Sequence, residues 1–330
     1  MGQSQSWFSP PELLQSLFAP SAPPDSFNSE ASLSDVLAQV SQASPWDVAI
    51  RYHEIKSQLQ SKRLTQTLRS LSAQAILERA RKLLGSLVHP EVQHFAPLDE
   101  IPVEATQVDL DLEETLEHAP FAFSEQRGLP PGVQSTVTAQ DLWMSYRLVR
   151  RQSVVLSVDT SLSMTGEKLA LTAVALAVVL LQFPEDFIGI VAFENEAWVL
   201  KKPEEKISIA QLVERFLDVP AQGYTHLEEG LVAALKQVRA IGSRLGGRPC
   251  STLLLTDGKY TAGRDPAYLG CQFPHLVVMK MGKEQAGLGL CRQLAQEGSG
   301  VLREVRELES LPALMYGVVK DLLRGRSVLC

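Results

Sequence analysis

Apolar and polar residues follow two different rhythms along this chain. In the first third, Leu64, Leu68, Leu71 and Ala75 recur at spacings of four, three and four, continued by Ala80, Leu83 and Leu87. That period places one apolar stripe on a long helix. Ser44-Pro45, with Asp47 two residues on, predicts a helix start: a hydroxyl cap, Pro at the first helical position and an acid in the first turn. Pro90 follows the pattern as a stop. Beyond residue 152 the rhythm changes. Short apolar runs, 153–158, 187–193, 252–256, 275–279 and 300–304, alternate with helical patterns over 166–182, 207–217, 226–241, 284–297 and 308–323. Strand-helix alternation of this kind predicts an α/β domain, a doubly wound, mostly parallel sheet covered on both faces, preceded by a smaller helical region.

The segments between divide the chain. Residues 1–30 are rich in Pro and Ser and read as a flexible arm; 31–90 form the helical region; 152–324 the α/β domain; 325–330 a tail. Residues 91–151 read as an acidic linker with edge strands. Between Lys82 and Arg127 there is no Lys or Arg, while Glu91, Asp99, Glu100, Glu104, Asp109, Asp111, Glu113, Glu114 and Glu117 accumulate. This is a solvated acidic edge or a surface for a basic partner. Asp141–Arg151 reads as an edge strand leading into the main domain, its Arg147, Arg150 and Arg151 answering the acidic stretch.

Composition narrows the function. Hydrophobic residues make up 45%, charged residues 21%, and the formal net charge is −7. Such a chain has no general attraction to nucleic acid or an anionic membrane. Cys250, Cys271, Cys291 and Cys330 form no CxxC pair, and reduced thiols are expected. The N-terminus lacks the basic start and apolar core of a signal peptide, although Gly2 and Ser6 fit the short myristoylation pattern. The longest apolar run, Leu169–Leu181, falls short of the ~20 residues a membrane helix needs. A cytoplasmic protein with no membrane span is the expectation.

In a sheet of this type, ligands sit beyond the carboxyl ends of the strands. Three fragments fall there: Asp159-Thr160-Ser161-Leu162-Ser163, Gly223-Tyr224-Thr225 and Thr256-Asp257-Gly258. Each is weak alone. In this order and placement they gather two carboxylates and three hydroxyls. Hard oxygen donors suit Mg²⁺, and the absence of Cys or His argues against zinc or copper. Asp159 and Asp257 should repel one another without metal and raise at least one pKa.

These fragments resemble the metal-ion-dependent adhesion site of von Willebrand factor A (VWA) domains, a Rossmann-like fold, over residues 150–324. The resemblance implies a metal site of Asp159, Ser161, Ser163, Thr225 and Asp257 for Mg²⁺, with Mn²⁺ or Ca²⁺ as substitutes. It also implies an open position for an acidic side chain of a protein partner. Two positions depart from the usual pattern: Leu162 stands where Gly is common, and His226 where an acid or Asn is common. Both are assigned to a partner-binding rim, and His226 reads as a first-turn helix residue. The helical region, the acidic DLDLEETLE stretch and the W-x-x-x-R-x-x-R-R lead-in are similar to bacterial CoxE-like proteins. That similarity implies a MoxR-type AAA+ ATPase partner and a client protein that is activated or matured.

No GxxxxGK, HExxH or GxSxG motif is present, so an ATPase or a common hydrolase is not indicated, and no catalytic residue is assigned. The alternatives are a metal-dependent hydrolase, for which Glu228 or Glu229 would be the base, and a VWA subunit of a chelatase-like machine.

Overall fold

The computed structural model describes residues 43–59, 61–87, 94–102, 105–118, 138–148, 152–221, 223–244 and 249–325. The Pro/Ser-rich arm, the Gly2–Ser6 pattern, Arg150, Arg151, Cys330 and nearly all of the tail lie outside them, as does the Arg147 side chain. The chain divides into two compact units, residues 86–151 forming one and the remainder the other.

The larger unit opens with α1 (Pro45–Ile50), α2 (Tyr52–Gln58) and α3 (Lys62–Leu87). Ser44 Oγ accepts the Asp47 N–H at 3.1 Å, the cap the sequence predicts. The α3 stripe buries Leu68, Ala75, Ile76 and Ala80. These helices pack onto the α/β domain: Lys56 Nζ donates to Leu217 O at 3.2 Å, and Arg69 pairs with Asp218 at 2.5 Å.

The α/β domain carries six strands: β4 (Ser153–Asp159), β5 (Ile188–Phe193), β6 (Ala197–Lys201), β7 (Cys250–Thr256), β8 (Leu276–Met281) and β9 (Leu302–Val305), in the order β6-β5-β4-β7-β8-β9. All pair in parallel except β6, which runs antiparallel to β5. Every residue of β4 and β7 is buried, as expected of central strands covered on both faces. The covering helices are α5 (Glu167–Gln182), α6 (Ile209–Asp218), α7 (Leu227–Arg244), α8 (Leu288–Glu297) and α9 (Leu311–Leu323). Under α7 and α8 lies a core of Val155, Phe193, Leu231, Leu254, Val278 and Leu294. In α5 every residue from Leu169 to Leu180 is buried, which explains an apolar run with no polar face. Among the described residues no helix is long and apolar enough to cross a membrane.

The smaller unit is a three-stranded antiparallel sheet of β1 (His94–Pro97), β2 (Ala105–Leu110) and β3 (Trp143–Leu148), in the order β1-β3-β2, with α4 (Leu112–His118). This corrects the reading of Asp141–Arg151. Trp143–Leu148 is the central strand of a separate sheet and is not paired with the main one. Its start is tied to α4: Thr115 Oγ1 accepts the Trp143 N–H at 2.9 Å, and the His118 ring stacks on Trp143 at 3.9 Å.

Candidate metal centre

The strands β4 and β7 end side by side, with Val158 opposite Leu255. One residue further on, Thr256 Oγ1 donates to Asp159 Oδ2 at 2.7 Å. The other Asp159 oxygen accepts the Ser161 N–H at 2.9 Å. These bonds fix a carboxylate that is fully buried. The chain then makes a single 3-10 turn, Leu162–Met164, anchored by the buried Met164. Across it Ser161 Oγ and Ser163 Oγ come within 3.2 Å. Ser161 is buried and Ser163 exposed, so the two hydroxyls lead from the interior to the mouth. Leu162 keeps an ordinary backbone conformation; Ser299 is the only non-Gly residue with positive φ among the described residues.

The second loop is brought alongside by its backbone, Leu162 N standing 3.5 Å from Gly223 O. Thr225 is buried and its backbone is doubly held: its N–H donates to Thr261 Oγ1 at 2.9 Å, and its carbonyl accepts the Thr261 N–H at 3.0 Å. Two residues absent from the sequence-based site grip this loop. Glu194 Oε2 accepts the Gly223 N–H at 2.6 Å, and Asn195 Oδ1 accepts the Tyr224 N–H at 3.1 Å. The Glu194 carbonyl also takes the His226 N–H at 2.7 Å. Glu194 and Asn195 follow the carboxyl end of β5, so the strand-end rule that found the other loops also points to them.

The third loop carries Asp257, buried at 3% exposure. Its Oδ1 accepts the Lys259 N–H at 3.1 Å. Its Oδ2 is buried without a hydrogen-bond partner. The Lys259 ammonium stands 3.9 Å from it, too far for a hydrogen bond, and is itself paired with Glu284. Gly258 turns the chain with φ of +82°. A Cβ there would lie 2.7 Å from Cys291 Sγ and 2.8 Å from Gly287 O, so only Gly fits this turn.

Burial is the main electrostatic influence on Asp159, pushing its carboxyl up to about 6; the hydrogen bonds from Ser161 and Thr256 oppose the shift, and the Asp257 charge adds to it last. The expected repulsion from Asp257 does raise this carboxyl, but desolvation contributes more. His226 is half-buried just before α7, and its Nδ1 accepts the Glu229 N–H at 3.1 Å. It caps the helix from outside the first turn, and that ring nitrogen is committed locally. Leu162, by contrast, is 62% exposed. Glu228, weighed as a base, accepts bonds from Tyr268 Oη and the Arg264 N–H.

The donor set fits a hard divalent cation. A buried carboxylate oxygen with no partner is costly unless something positive meets it. The buried Asp159 carboxylate is near enough to feel its charge, and the hydroxyl-bearing Ser161, Ser163 and Thr225 lie on the two loops that meet at Leu162 and Gly223. Among the described residues no three His, Cys, Asp or Glu side chains form a metal cluster; this candidate site relies on hydroxyls for the rest of its donors.

Residues 154–259 match the family model for the von Willebrand factor type A domain. The chain thus contains a VWA domain, and the architecture above is a VWA-like fold. Solved structures with a similar fold include a von Willebrand factor type A protein from Catenulispora acidiphila, at 19% identity over 55% of this chain and 44% of that one, with a TM-score of 0.44. An aerotolerance-related membrane protein from Bacteroides fragilis matches at 16% identity over 52% of this chain and 98% of that one, with a TM-score of 0.41. Proximal thread matrix protein 1 from the mussel byssus, in a structure described with a zinc-occupied MIDAS motif, matches at 18% identity over 52% and 48%, with a TM-score of 0.43. The match spans about half the length of the Catenulispora and mussel proteins, 44% and 48%. No curated protein matches this chain.

Proposed function

We propose that this protein is a Mg²⁺-dependent protein-binding adaptor, with the cation held by Asp159, Ser161, Ser163, Thr225 and Asp257. The observation that carries this reading is the buried Oδ2 of Asp257, which has no hydrogen bond and only the Lys259 ammonium at 3.9 Å, close to the buried carboxylate of Asp159. A bound cation supplies positive charge and an open coordination position to which a partner's carboxylate can bind. The chain's own residues orient the site: Thr256 and the Ser161 N–H fix Asp159, Thr261 fixes the Thr225 backbone, and Glu194 and Asn195 fix the loop before it. A binding role is favoured over catalysis because the serines contact each other without a base in their hydrogen bonds, while Glu228 is engaged by Tyr268 and Arg264. The upstream similarity to CoxE-like proteins supports a MoxR-type AAA+ ATPase as partner and the maturation of a client protein as the task.

Two measurements test this. Calorimetric titration with Mg²⁺ should show one site that Asp257→Asn abolishes. Capture of a MoxR-type ATPase by the full chain should require Mg²⁺ and be reversed by EDTA. Absence of any divalent-cation binding would overturn the reading of the site, and capture indifferent to EDTA would overturn the adaptor mechanism.

A further inference from the structure

Two residues after Asp257, a lysine lies between two carboxylates. The Lys259 ammonium stands 3.9 Å from Asp257 Oδ2 and is ion-paired with Glu284. Glu284 belongs to the neighbouring loop, beyond β8, and two contacts set that loop. Lys280, in register with Thr256 one strand away, is 1% exposed, and its Nζ donates to the Glu284 carbonyl at 2.6 Å. Gly287 lies against the Gly258 turn, so that a Cβ on either would meet the backbone of the other. The Glu284 backbone is thus fixed, while its side chain, 65% exposed, reaches back to Lys259. A third ammonium is near: Lys168 Nζ donates to Ser163 O at 3.0 Å. The bond from Lys259 and its charge hold the Glu284 carboxyl below its ordinary value, and the Lys168 and Lys280 charges add to this. Lys168 and Lys280 donate to backbone carbonyls, whereas Lys259 faces two carboxylates.

We propose that Glu284 is a positioning residue for the metal site: its carboxylate holds the Lys259 ammonium off Asp257 Oδ2 and so keeps that oxygen open to a divalent cation. The proposal rests on the metal-dependent reading above and adds what sets the strength of binding. A lysine side chain is flexible, and a shift of about 1 Å would bring Nζ into hydrogen-bond range of Asp257 Oδ2. There it would satisfy the oxygen that lacks a hydrogen bond, and it would repel an incoming cation. Lys259 is the chain's own competitor for the metal position, and Glu284 draws it aside. Because an exposed ion pair is weak, the hold tunes affinity and does not decide whether the site exists.

Mg²⁺ titration calorimetry on the full protein and three variants tests this as a double-mutant cycle. Lys259→Met removes the competing ammonium and should tighten Mg²⁺ binding about fivefold. Glu284→Ala, which keeps the carbonyl that Lys280 uses, should weaken it about threefold, the size expected of one exposed ion pair. With Lys259→Met already in place, Glu284→Ala should have no effect beyond the error of the titration. A crystal structure of the metal-free Glu284→Ala protein should show Lys259 Nζ about 3 Å from Asp257 Oδ2. Equal weakening by Glu284→Ala in both backgrounds would show its charge acting on the cation directly and would overturn the proposal. So would a Lys259→Met protein that binds Mg²⁺ no more tightly than wild type, or a Lys259 side chain turned out to solvent in that crystal. These outcomes leave the metal reading standing. Absence of Mg²⁺ binding in all four proteins would overturn the metal reading, and this proposal with it.

Discussion

Glu194 grips Gly223 closely: its Oε2 accepts the Gly223 N–H at 2.6 Å, and a Cβ at position 223 would overlap the same oxygen and push the Glu194 side chain out of this bond. The Thr225 loop is thus held at Gly223 by a buried carboxylate, with Asn195 and Thr261 holding the two residues after it. Glu194→Ala should leave the Gly223 N–H without its partner, a cost of about 1–3 kcal/mol. We expect Mg²⁺ affinity to fall roughly tenfold to a hundredfold, the same energy expressed as binding, with the sheet intact. Calorimetric titration and far-UV circular dichroism check this, and unchanged affinity would show that the loop holds itself.

Asp257→Asn should separate folding from metal binding. The Asn side chain keeps the volume and the bond to the Lys259 N–H but removes the charge. Wild type should gain about 2.7 kcal/mol of stability at Mg²⁺ one hundred times its dissociation constant, and the variant nothing. At Asp159 the same substitution is the informative one. Asp159→Ala would leave Thr256 Oγ1 and the Ser161 N–H without acceptors in a buried place, and should destabilise the metal-free protein by about 1–3 kcal/mol for each. Chemical denaturation in EDTA measures both.

Metal binding should weaken in acid. Asp159 titrates at about 6 in the folded, metal-free protein, and a cation must displace that proton. Below this value affinity should drop by up to tenfold per pH unit. In the metal-free protein the sign is opposite. A carboxyl raised from its unfolded value favours folding most at low pH, and that contribution is lost as pH rises through about 6. Titrations at pH 5, 6 and 7.5 would expose a flat profile if Asp159 takes no part.

His53 gives the helical region its own response to acid. Burial lowers its pKa to about 4, the Lys56 charge adding to the effect, and its Nε2 is buried without a partner. A depressed histidine stabilises the fold above its unfolded value near 6.5. This contribution is lost as pH falls from there toward 4. Between pH 7 and 5 the expected loss is about 2 kcal/mol. His53→Leu should flatten that part of the denaturation profile, and an unaltered slope would place the acid sensitivity elsewhere.

The long periods were readable from sequence alone. The α3 stripe and five strands with their helices emerge within a few residues because burial on one or both faces dictates their patterns. The missing strand, β6, is five residues long, only its last two buried, and antiparallel at the sheet edge. AWVLK has strand-forming residue types, but five residues are too few for an alternation to be counted. In the small unit edge strands are legible, but their closing into a separate sheet around Trp143–Leu148 is not, because short strands carry no signal of which strand they pair with. The five proposed ligands stood out since their residue types and strand-end positions announce oxygen chemistry. Glu194 and Asn195 did not, because their partners lie 29 residues away and an acid beside Asn after a strand is ordinary turn composition. The dominance of burial over repulsion at Asp159 needed the surrounding atoms.

The turn at Gly258, wedged against Gly287 and the Cys291 thiol, gives the site unequal tolerance to inherited change. Any side chain at 258 would have to displace backbone, so the turn that carries Asp257 is closed to variation. Leu162 and Tyr224 touch mainly solvent and can be exchanged at little cost to folding. A lineage carrying this fold can therefore revise what it recognises one surface residue at a time, while the means of holding a cation stays fixed beneath.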